Sequence, residues 1–560
     1  MRLNKLPKKY QQLIDTNDAS AFETLHDKLD TIKTECMIAS EKKCRKIHAG
    51  AVDYSDEVFK WRDRRELWNL IVRHHKGMRI NTIIIRRKAY SLGIPSPLNC
   101  TLREAERAHK ICTTTYDKLK PHATAHRKIF LNRLKNDAIK NNDDTRLKII
   151  KQTIQQEDLK RTWDKINNSK KRTTGGSISK VSVTVNGVTT THTTEATVVP
   201  VVMETCNKKF MLTHDTPLMD GSAISNDIGF NGSSPACAQI KAGTYTFPVS
   251  TDKHTKTLLT LIGTVTRRLN LKLVCHSITV EDFIDYWKGS REKTSSSYSG
   301  LHFGHWKAAS WNKFTASIHA KSIELAFRAG LPLKRWKIGL SVMLEKIPGN
   351  TSVEKLRAIL LMEADFNFGN KLLFGQRMVK AAEDAKVIPD DSFGSRKNKS
   401  SQEVFICRLL FFDLVRLSKH NAALGSYDAQ TCYDRVVHSL TSLVGESVGM
   451  PLPNLTCLFL AIQGMRFYLR TAFGDSSSFY SCESDTPYQG LVQGNGAAPA
   501  FWLLVSSYIL LYLKSQGHCI KVKSAISNIA MIYTALMYVD DGDIAYRRFN
   551  FDAVTLTFKI

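Results

Sequence analysis

The chain has 560 residues, of which 42% are hydrophobic and 24% charged, as in a globular protein of two or three domains. Its net charge of +28 is unusual and favours a polyanionic partner such as nucleic acid. Twelve cysteines occur without any C-x-x-C pair, which argues against a zinc module or disulfide framework. The lysine-rich start, Met1–Tyr10, lacks the apolar stretch of a secretory signal. We therefore expect an intracellular protein, nuclear or cytoplasmic.

Residues 1–172 are predicted to form a basic and largely α-helical region. They hold 39 Lys and Arg residues against 21 Asp and Glu. Apolar positions at helical spacing predict helices at Glu57–Arg73, Ala105–Lys118 and Asp144–Ile166. Between the first two, a stop at Gly93 and a capped restart favour a plain helical hairpin over a DNA-binding helix-turn-helix.

Residues 173–290 are predicted to be a linker, a β-hairpin and a connector. Lys170–Arg172 is followed by two threonines and two glycines, which is typical of a linker; a nuclear-localisation role is the weaker interpretation. The segment Val181–Val185 alternates in polarity up to Asn186-Gly187, and the alternation resumes at Val188–Thr190. That pattern predicts a hairpin.

Two adjacent aspartates lie near the end of the chain, in Tyr538-Val539-Asp540-Asp541. Apolar residues precede them and Gly542 follows, which predicts a strand, a sharp turn and a returning strand. Carboxylates at such a tip can hold Mg²⁺, which prefers hard oxygen ligands. An Asp-Asp pair alone is weak evidence, because it more often marks an exposed turn.

Two upstream segments supply partners for these aspartates. Asp428 ends a short strand-like run and Tyr433 follows five residues later. A glycine-rich turn, Gln493–Pro499, leads into a long apolar helix and allows the backbone to approach a substrate closely. Two-metal nucleotidyl transfer requires carboxylates from different strands to converge. The alternatives are a helix N-cap for Asp428, a core tyrosine for Tyr433 and an ordinary turn for Gln493–Pro499.

Taken in order, the three segments resemble motifs A, B and C of the reverse transcriptase palm, most closely in non-LTR-like retroelements. The resemblance covers roughly residues 295–546. It implies an α/β (α+β) fold, with polymerase fingers and palm at 291–560 behind the helical basic region. It also implies an RNA-directed DNA polymerase, a nucleotidyltransferase that extends a DNA primer on an RNA template with dNTPs.

The resemblance assigns the chemistry to a few palm residues. Asp428, Asp540 and Asp541 would be catalytic and would hold two Mg²⁺ ions, with Mn²⁺ as an alternative. Tyr433 would pack where a ribose 2′-hydroxyl would sit, which favours deoxynucleotides. Ala498 stands where serine is common in the family; it keeps the small size, so we infer no loss of activity from it.

The resemblance also assigns binding roles outside the aspartates. Gln493 and Gly494 would lie beside the templating base and the incoming nucleotide. Lys346 and Arg357 match the fingers motif that holds the triphosphate, with Arg357 able to bind two phosphate oxygens. Arg396 matches a segment that lines the template path. Surface charge beside a turn is the alternative for each of the three cations.

Two other features favour ordinary structural roles. Ala497–Leu513 is apolar over about 17 residues, at the lower limit for a membrane span, and we predict a buried core helix and no membrane. His302 and His305 suggest a metal site, but no cysteine or carboxylate pair completes it in the sequence. Nucleic-acid contact or packing is predicted there.

Nineteen residues follow Asp541, so we expect most of the closing strands and the thumb of such a polymerase to be missing. The activity of this chain is therefore an open question. One rival hypothesis is a truncated, non-catalytic remnant that binds nucleic acid through its charge. Another is an RNA-dependent RNA polymerase, whose layout is similar but which places an aspartate at the position of Tyr433.

Overall fold

The computed structural model describes residues 5–43 except 17, residues 53–169 except 79, and residues 178–546. The last range excludes 292–296, 348, 418, 420–421, 430, 483–484 and 524–529. The chain divides into two compact units: Met1–Lys43 with Thr173–Ile560, and Cys44–Arg172. The predicted linker at 170–176 lies outside the described residues.

The described residues among the first 169 form helices joined by turns and loops. The larger unit begins with α1 (Leu6–Ile14) and α2 (Ala19–Lys43). The smaller unit contains α3 (Asp56–His75), α4 (Thr82–Ser91), α5 (Leu102–Leu119), α6 (Ala123–Lys140) and α7 (Asp144–Ser169). These bounds confirm the three predicted helices. Thr101 and Glu104 form a capping box at the start of α5, which accounts for the helical restart after Gly93.

The larger unit resumes with a hairpin and a run of helices. Strands β1 (Val181–Val185) and β2 (Val188–His192) pair around Asn186 and Gly187, both at positive φ, as predicted. Seven helices follow: α8 (Glu195–Phe210), α9 (Ala223–Ile228), α10 (Pro235–Ala242), α11 (Lys253–Leu269), α12 (Val280–Gly289), α13 (Phe303–Ser310) and α14 (Lys313–Ala329). One hydrophobic core includes buried residues from Ile178 to Tyr508.

A four-stranded sheet follows α14 in the chain. Strands β3 (Ile338–Glu345) and β4 (Leu356–Leu361) form an antiparallel pair. The chain then continues through α15 (Ala364–Asn370), a π-helical stretch (Lys371–Met378), α16 (Val379–Asp384), α17 (Ser401–Leu417), β5 (Ala423–Asp428), α18 (His438–Ser447) and α19 (Leu452–Gln463). Strands β6 (Arg466–Thr471) and β7 (Gly474–Tyr480) complete the sheet in the order β4-β3-β6-β7, with β3 and β6 parallel.

A three-stranded sheet joins β5 to the last two described strands. After α20 (Ala498–Ser515) come β8 (Ile520–Lys523), β9 (Ala530–Tyr533), β10 (Ala535–Tyr538) and β11 (Asp541–Tyr546). Strands β8 and β9 pair with each other, and the sheet has the antiparallel order β10-β11-β5. The fold is therefore mixed α/β, which agrees with the predicted class at this level.

Helix α20 is the apolar segment for which a membrane span was the alternative. Among the described residues it is the one helix long and apolar enough to cross a membrane, and 67% of it is buried inside the fold. Core helices of globular proteins pass the same test of length and composition. Its buried residues, including Phe501 and Leu504, belong to the main hydrophobic core, which is the arrangement that the sequence predicted.

Residues 1–43 belong to the larger unit, which differs from the predicted single region at 1–172. An apolar cluster joins α1 and α2 to α14, and a buried ionic network adds to it. Arg335 pairs with Asp30 at 2.9 Å, with Asp365 at 2.7 Å and with Glu363. Lys33, with no exposed side-chain surface, pairs with Asp30 at 2.9 Å. These contacts join α2 to residues 300 positions away, and no local pattern in the sequence indicates them.

Candidate functional site

Asp428 and Asp541 face each other on neighbouring strands of the β10-β11-β5 sheet. Asp428 is the last residue of β5, and its antiparallel register partner is Asp541, the first residue of β11. Directly opposed residues project on the same face of a sheet, with Cβ atoms about 5 Å apart. Asp540 lies in the hairpin turn, and its carbonyl accepts a hydrogen bond from the Ala429 amide at 2.8 Å. The three predicted catalytic aspartates thus belong to one edge of one sheet.

The aspartates interact electrostatically with one another. The pKa of the Asp541 carboxyl is raised above its usual range. Burial is the largest cause, followed by the charge of Asp540 and then by that of Asp428. Burial, followed by the charge of Asp540, raises the pKa of the Cys432 thiol to about 12. This thiol is therefore protonated and chemically inert at neutral pH. A concentration of negative charge of this kind favours a cation at the sheet edge.

The donor chemistry at this edge suits Mg²⁺, since it consists of carboxylate oxygens. The side chains are nevertheless not arranged as a tight cluster. A compact metal site needs at least three ligand atoms that lie close to one another. In the described parts of the chain, Glu41, His302 and His305 form such a group, with ligand atoms all within 4.8 Å of one another. Asp428, Asp540 and Asp541 do not form such a group, so binding a shared ion would require rotation of their side chains.

A cavity of about 500 Å³ opens on the face of the sheet that carries Asp428 and Asp541. Its lining includes both aspartates, Arg408 of α17 and Asp543 of β11. The Arg408 guanidinium lies 3.6 Å from the Asp543 carboxylate, which also accepts a hydrogen bond from Ser426. The sequence did not identify Arg408 or Asp543. The cavity combines acidic groups for a cation with one arginine that can contact an anion.

Backbone hydrogen bonds position two of the predicted nucleotide-binding residues, Tyr433 and Gln493. The carbonyl of Tyr433 accepts a bond from the Leu491 amide at 2.7 Å, and the carbonyl of Gln493 accepts one from Leu360 on β4 at 2.8 Å. Gly494 has a φ of +109°, and a Cβ there would lie 2.3 Å from the Leu360 carbonyl oxygen. Only glycine fits this approach. Burial, then Cys432 and Asp540, raise the pKa of Tyr433 to about 12.

The hairpin tip that carries Asp540 is held from two sides. The indole of Trp502, on α20, donates a hydrogen bond to the Val539 carbonyl at 2.6 Å. On the other side, Gly394 lies so close that a Cβ there would be 2.3 Å from the Val539 amide nitrogen. Val539 itself adopts φ 59°, a strained conformation for a β-branched residue. These contacts fix the turn, and the sequence predicted neither of them.

Arg396 has a structural role that differs from the predicted template contact. Its guanidinium binds Glu383 at 2.6 and 2.7 Å and donates to the carbonyls of Pro389 and Ser392. The side chain is only 10% exposed. Arg396 therefore stabilises the turn that brings Gly394 against the hairpin tip, and it would have to break four hydrogen bonds to contact a template.

Lys346 and Arg357 lie at the edge of the β4-β3-β6-β7 sheet. Lys346 is exposed in the connection after β3, where its amide donates to the Lys355 carbonyl at 3.3 Å. Arg357 is exposed on β4, opposite Leu344. Both cations are available to an anionic ligand. Gln493 bonds to the same strand that carries Arg357, so the glycine turn and one predicted phosphate-binding residue lie on neighbouring backbone.

The histidine pair at the start of α13 has a carboxylate partner that the sequence did not indicate. Glu41 lies 3.1 Å from His302 Nε2 and 3.2 Å from His305 Nε2. Each ring accepts a backbone N–H at Nδ1, from Gly304 and from His302 respectively. In the neutral rings the proton therefore lies on Nε2, and the Nε2–H of His302 donates to the Glu41 carboxylate. This arrangement suits a carboxylate acceptor rather than a metal, which would need both Nε2 lone pairs.

Comparison with known proteins gives no identification. No family model matches the sequence, and no curated protein matches it.

Proposed function

We propose that this chain is a reverse transcriptase, an RNA-directed DNA polymerase with a palm formed by the β10-β11-β5 sheet. One observation carries the proposal: Asp428 and Asp541 are register partners on adjacent strands, with Asp540 in the turn beside them. The two strands are far apart in the sequence. Two-metal nucleotidyl transfer needs carboxylates from separate strands at one edge, and this register provides them.

Asp428, Asp540 and Asp541 would hold the metal ions in this proposal. Bound Mg²⁺ supplies activation of the attacking primer hydroxyl and stabilisation of the leaving pyrophosphate. The protein groups around the site contribute positioning. Trp502 and Gly394 hold the tip that carries Asp540, and Tyr433 lies close enough to Asp540 for that charge to raise its pKa.

The remaining residues would bind the substrate. The Gln493 turn is joined to β4, so its backbone and the Arg357 side chain can act on the same nucleotide. Lys346 and Arg357 are exposed cations suited to a triphosphate. Tyr433 would exclude a 2′-hydroxyl by its bulk. In this proposal the four-stranded sheet corresponds to the fingers, and RNA template, DNA primer and dNTPs are the ligands.

A second candidate function is nucleic-acid binding without catalysis. It is favoured by the net charge of +28 and by the absence of a tight ligand cluster among the three aspartates in the described structure. Salt-dependent affinity for RNA is common to both functions, because lysine and arginine release counterions from phosphates. Catalysis is what separates them.

Extension of a DNA primer annealed to an RNA template, with Mg²⁺ and the four dNTPs, tests the proposal. The polymerase predicts products that lengthen one nucleotide at a time, and little product when ribonucleotides replace dNTPs. Strong binding with no product would support the second candidate. Equal use of both nucleotide types would instead indicate an RNA-dependent RNA polymerase. A Tyr433→Ala variant should accept ribonucleotides more readily than the wild type does.

A further inference from the structure

Three aromatic side chains form a cluster on the outward face of the β4-β3-β6-β7 sheet. Tyr298 stacks on Tyr468 with ring centroids 4.4 Å apart and an interplanar angle of 21°. Tyr468 also contacts Phe479, its cross-strand partner on β7, at 5.5 Å. Tyr298 is 44% exposed and Phe479 is 42% exposed. A cluster of solvent-exposed aromatic rings marks a binding surface more often than a single exposed ring does.

The orientation of this cluster is fixed by the opposite face of the same strands. Phe467 and Tyr480 are buried cross-strand partners whose rings stack at 5.0 Å. Because successive strand residues point to opposite faces, burial of this pair requires Tyr468 and Phe479 to point outward. A slip of one residue would expose the buried pair, so the outward aromatic pair is fixed in register.

Tyr298 is held in place by its own loop. Ser297 and Ser299, on either side of it, donate hydrogen bonds to the buried Glu363 carboxylate at 2.5 and 3.0 Å. Glu363 in turn pairs with Arg335. The ring of Tyr298 therefore does not need to be ordered when a ligand arrives, which reduces the entropy cost of binding.

The charge around the cluster is positive. The Arg466 guanidinium lies 5.5 Å from the Phe479 ring centroid and is exposed. Among the described residues no carboxylate pairs with Arg466, whereas the acidic residue Asp475 is neutralised by Arg470 at 2.6 Å. Arg357 on β4 also lies on this face of the sheet. On β3, Leu340 is the register partner of Tyr468, and alternation along the strand places Leu344 on the same face as Leu340. Arg357 is the register partner of Leu344 and therefore shares that face. An anionic ligand is favoured here.

We propose that Tyr298, Tyr468, Phe479 and Arg466 form a stacking platform for the unpaired bases of a single-stranded nucleic acid. Bases stack on aromatic rings without regard to sequence, and an adjacent arginine contacts the phosphate backbone. Bases held inside a duplex cannot reach such rings, so the platform selects single strands. This surface is separate from the aspartates, and its binding does not depend on catalysis.

Fluorescence anisotropy of the full chain with a labelled, unstructured 12-nucleotide RNA tests this proposal in EDTA, where polymerase chemistry cannot occur. Tyr298→Ala and Phe479→Ala should each weaken binding by roughly fivefold or more at fixed salt. Tyr298→Phe should bind like the wild type, because the ring is retained. Trp311→Ala is a matched control, since Trp311 is 73% exposed and lies outside the platform.

Two further measurements sharpen the test. Arg466→Gln should reduce the slope of log affinity against log salt by about 0.7, the value for one phosphate contact on a single strand. The ring variants should leave that slope unchanged. DNA of the same sequence shows whether the sugar matters, and both sugars are compatible with stacking. Unchanged binding by Tyr298→Ala and Phe479→Ala, or equally tight binding of a 12-base-pair RNA duplex, would overturn the platform and leave the polymerase proposal standing.

Discussion

Asp541 lies directly opposite Asp428 across two antiparallel strands, and the two carboxylates project on the same face of the sheet. Like charges in facing positions destabilise a sheet. The pKa of the Asp541 carboxyl is raised, first by burial and second by the charge of Asp540. The charge of Asp428 is the third cause, and it is the repulsion between the facing pair. A bound cation of the kind proposed above would neutralise this pair and remove the repulsion.

Asp428→Asn should stabilise the fold at neutral pH and low salt. The pKa of Asp541 is raised in the folded protein, so its ionisation costs stability once the pH exceeds its unfolded pKa, and removing the Asp428 charge reduces that cost. Thermal unfolding without divalent ions should show a higher midpoint for the variant. Millimolar Mg²⁺ should stabilise the wild type more than Asp428→Asn. A variant that is less stable than the wild type without Mg²⁺ would contradict the repulsion.

Trp502→Phe should loosen the hairpin tip. The change keeps the aromatic ring and removes the 2.6 Å hydrogen bond to the Val539 carbonyl. We expect a loss of about 1 kcal/mol in the free energy of unfolding, typical of one hydrogen bond. The rate of primer extension should fall further than stability does, because the bond positions the turn that carries Asp540. Trp311→Phe, at an exposed position, should change neither quantity.

Arg335→Met should severely destabilise the larger unit. The substitution leaves Asp30, Glu363 and Asp365 buried without their shared cation. Removing one partner of a buried ion pair costs about 3–5 kcal/mol. Denaturant unfolding followed by circular dichroism measures the loss. Arg416→Met is the matched control, because its pair with Asp413 is exposed and should contribute no more than about 1 kcal/mol.

Stability should fall as the pH is lowered from 6.5 to 4, in part because of His438. Burial lowers the pKa of this histidine to about 4. Its Nε2–H donates to the Gly490 carbonyl and its Nδ1 accepts from Gln463, which suits the neutral ring. Between pH 6.5 and 4 the folded state thus binds fewer protons than the unfolded state. The stability that the neutral His438 contributes is therefore complete above pH 6.5 and is lost progressively as the pH falls toward 4.

The size of this effect is about 3 kcal/mol for His438 alone, from the difference between its folded and unfolded pKa values. Chemical denaturation at a series of pH values gives the slope. His438→Gln should flatten the slope in this window, although His26, whose pKa is also lowered to about 4, keeps part of it. An NMR titration that gives His438 an ordinary pKa in the folded protein would contradict the prediction.

Local features of the fold could be predicted from the sequence, and long-range relationships could not. Asn186-Gly187 fixes its hairpin, and Thr101 with Glu104 fixes a helix start, because these residues act on their own neighbourhood. The three sequence motifs gave the positions of Asp428 and Asp541 but not their register, which depends on how separate strands pair.

The features that the sequence missed involve side chains that meet only after folding. Glu41, near the C-terminal end of α2, contacts His302. Arg335 pairs with one acidic residue of α2 and with two acidic residues that follow β4. For Arg396 the template contact stays a prediction, and the structure adds partners that the sequence did not indicate. Its position matched a template-contacting motif, yet Glu383 and two carbonyls occupy its guanidinium. No periodicity in the sequence distinguishes a buried arginine of this kind from an exposed one.

Primer extension by the Asp540→Asn variant tests the central claim most directly. Wild-type protein should extend a DNA primer on an RNA template in Mg²⁺, and Asp540→Asn should lose that extension while its affinity for the template-primer stays close to that of the wild type. Asp413→Asn, which changes an exposed aspartate on α17, is the matched control and should remain active. Extension by Asp540→Asn at the wild-type rate would contradict the assignment of the hairpin aspartates to catalysis.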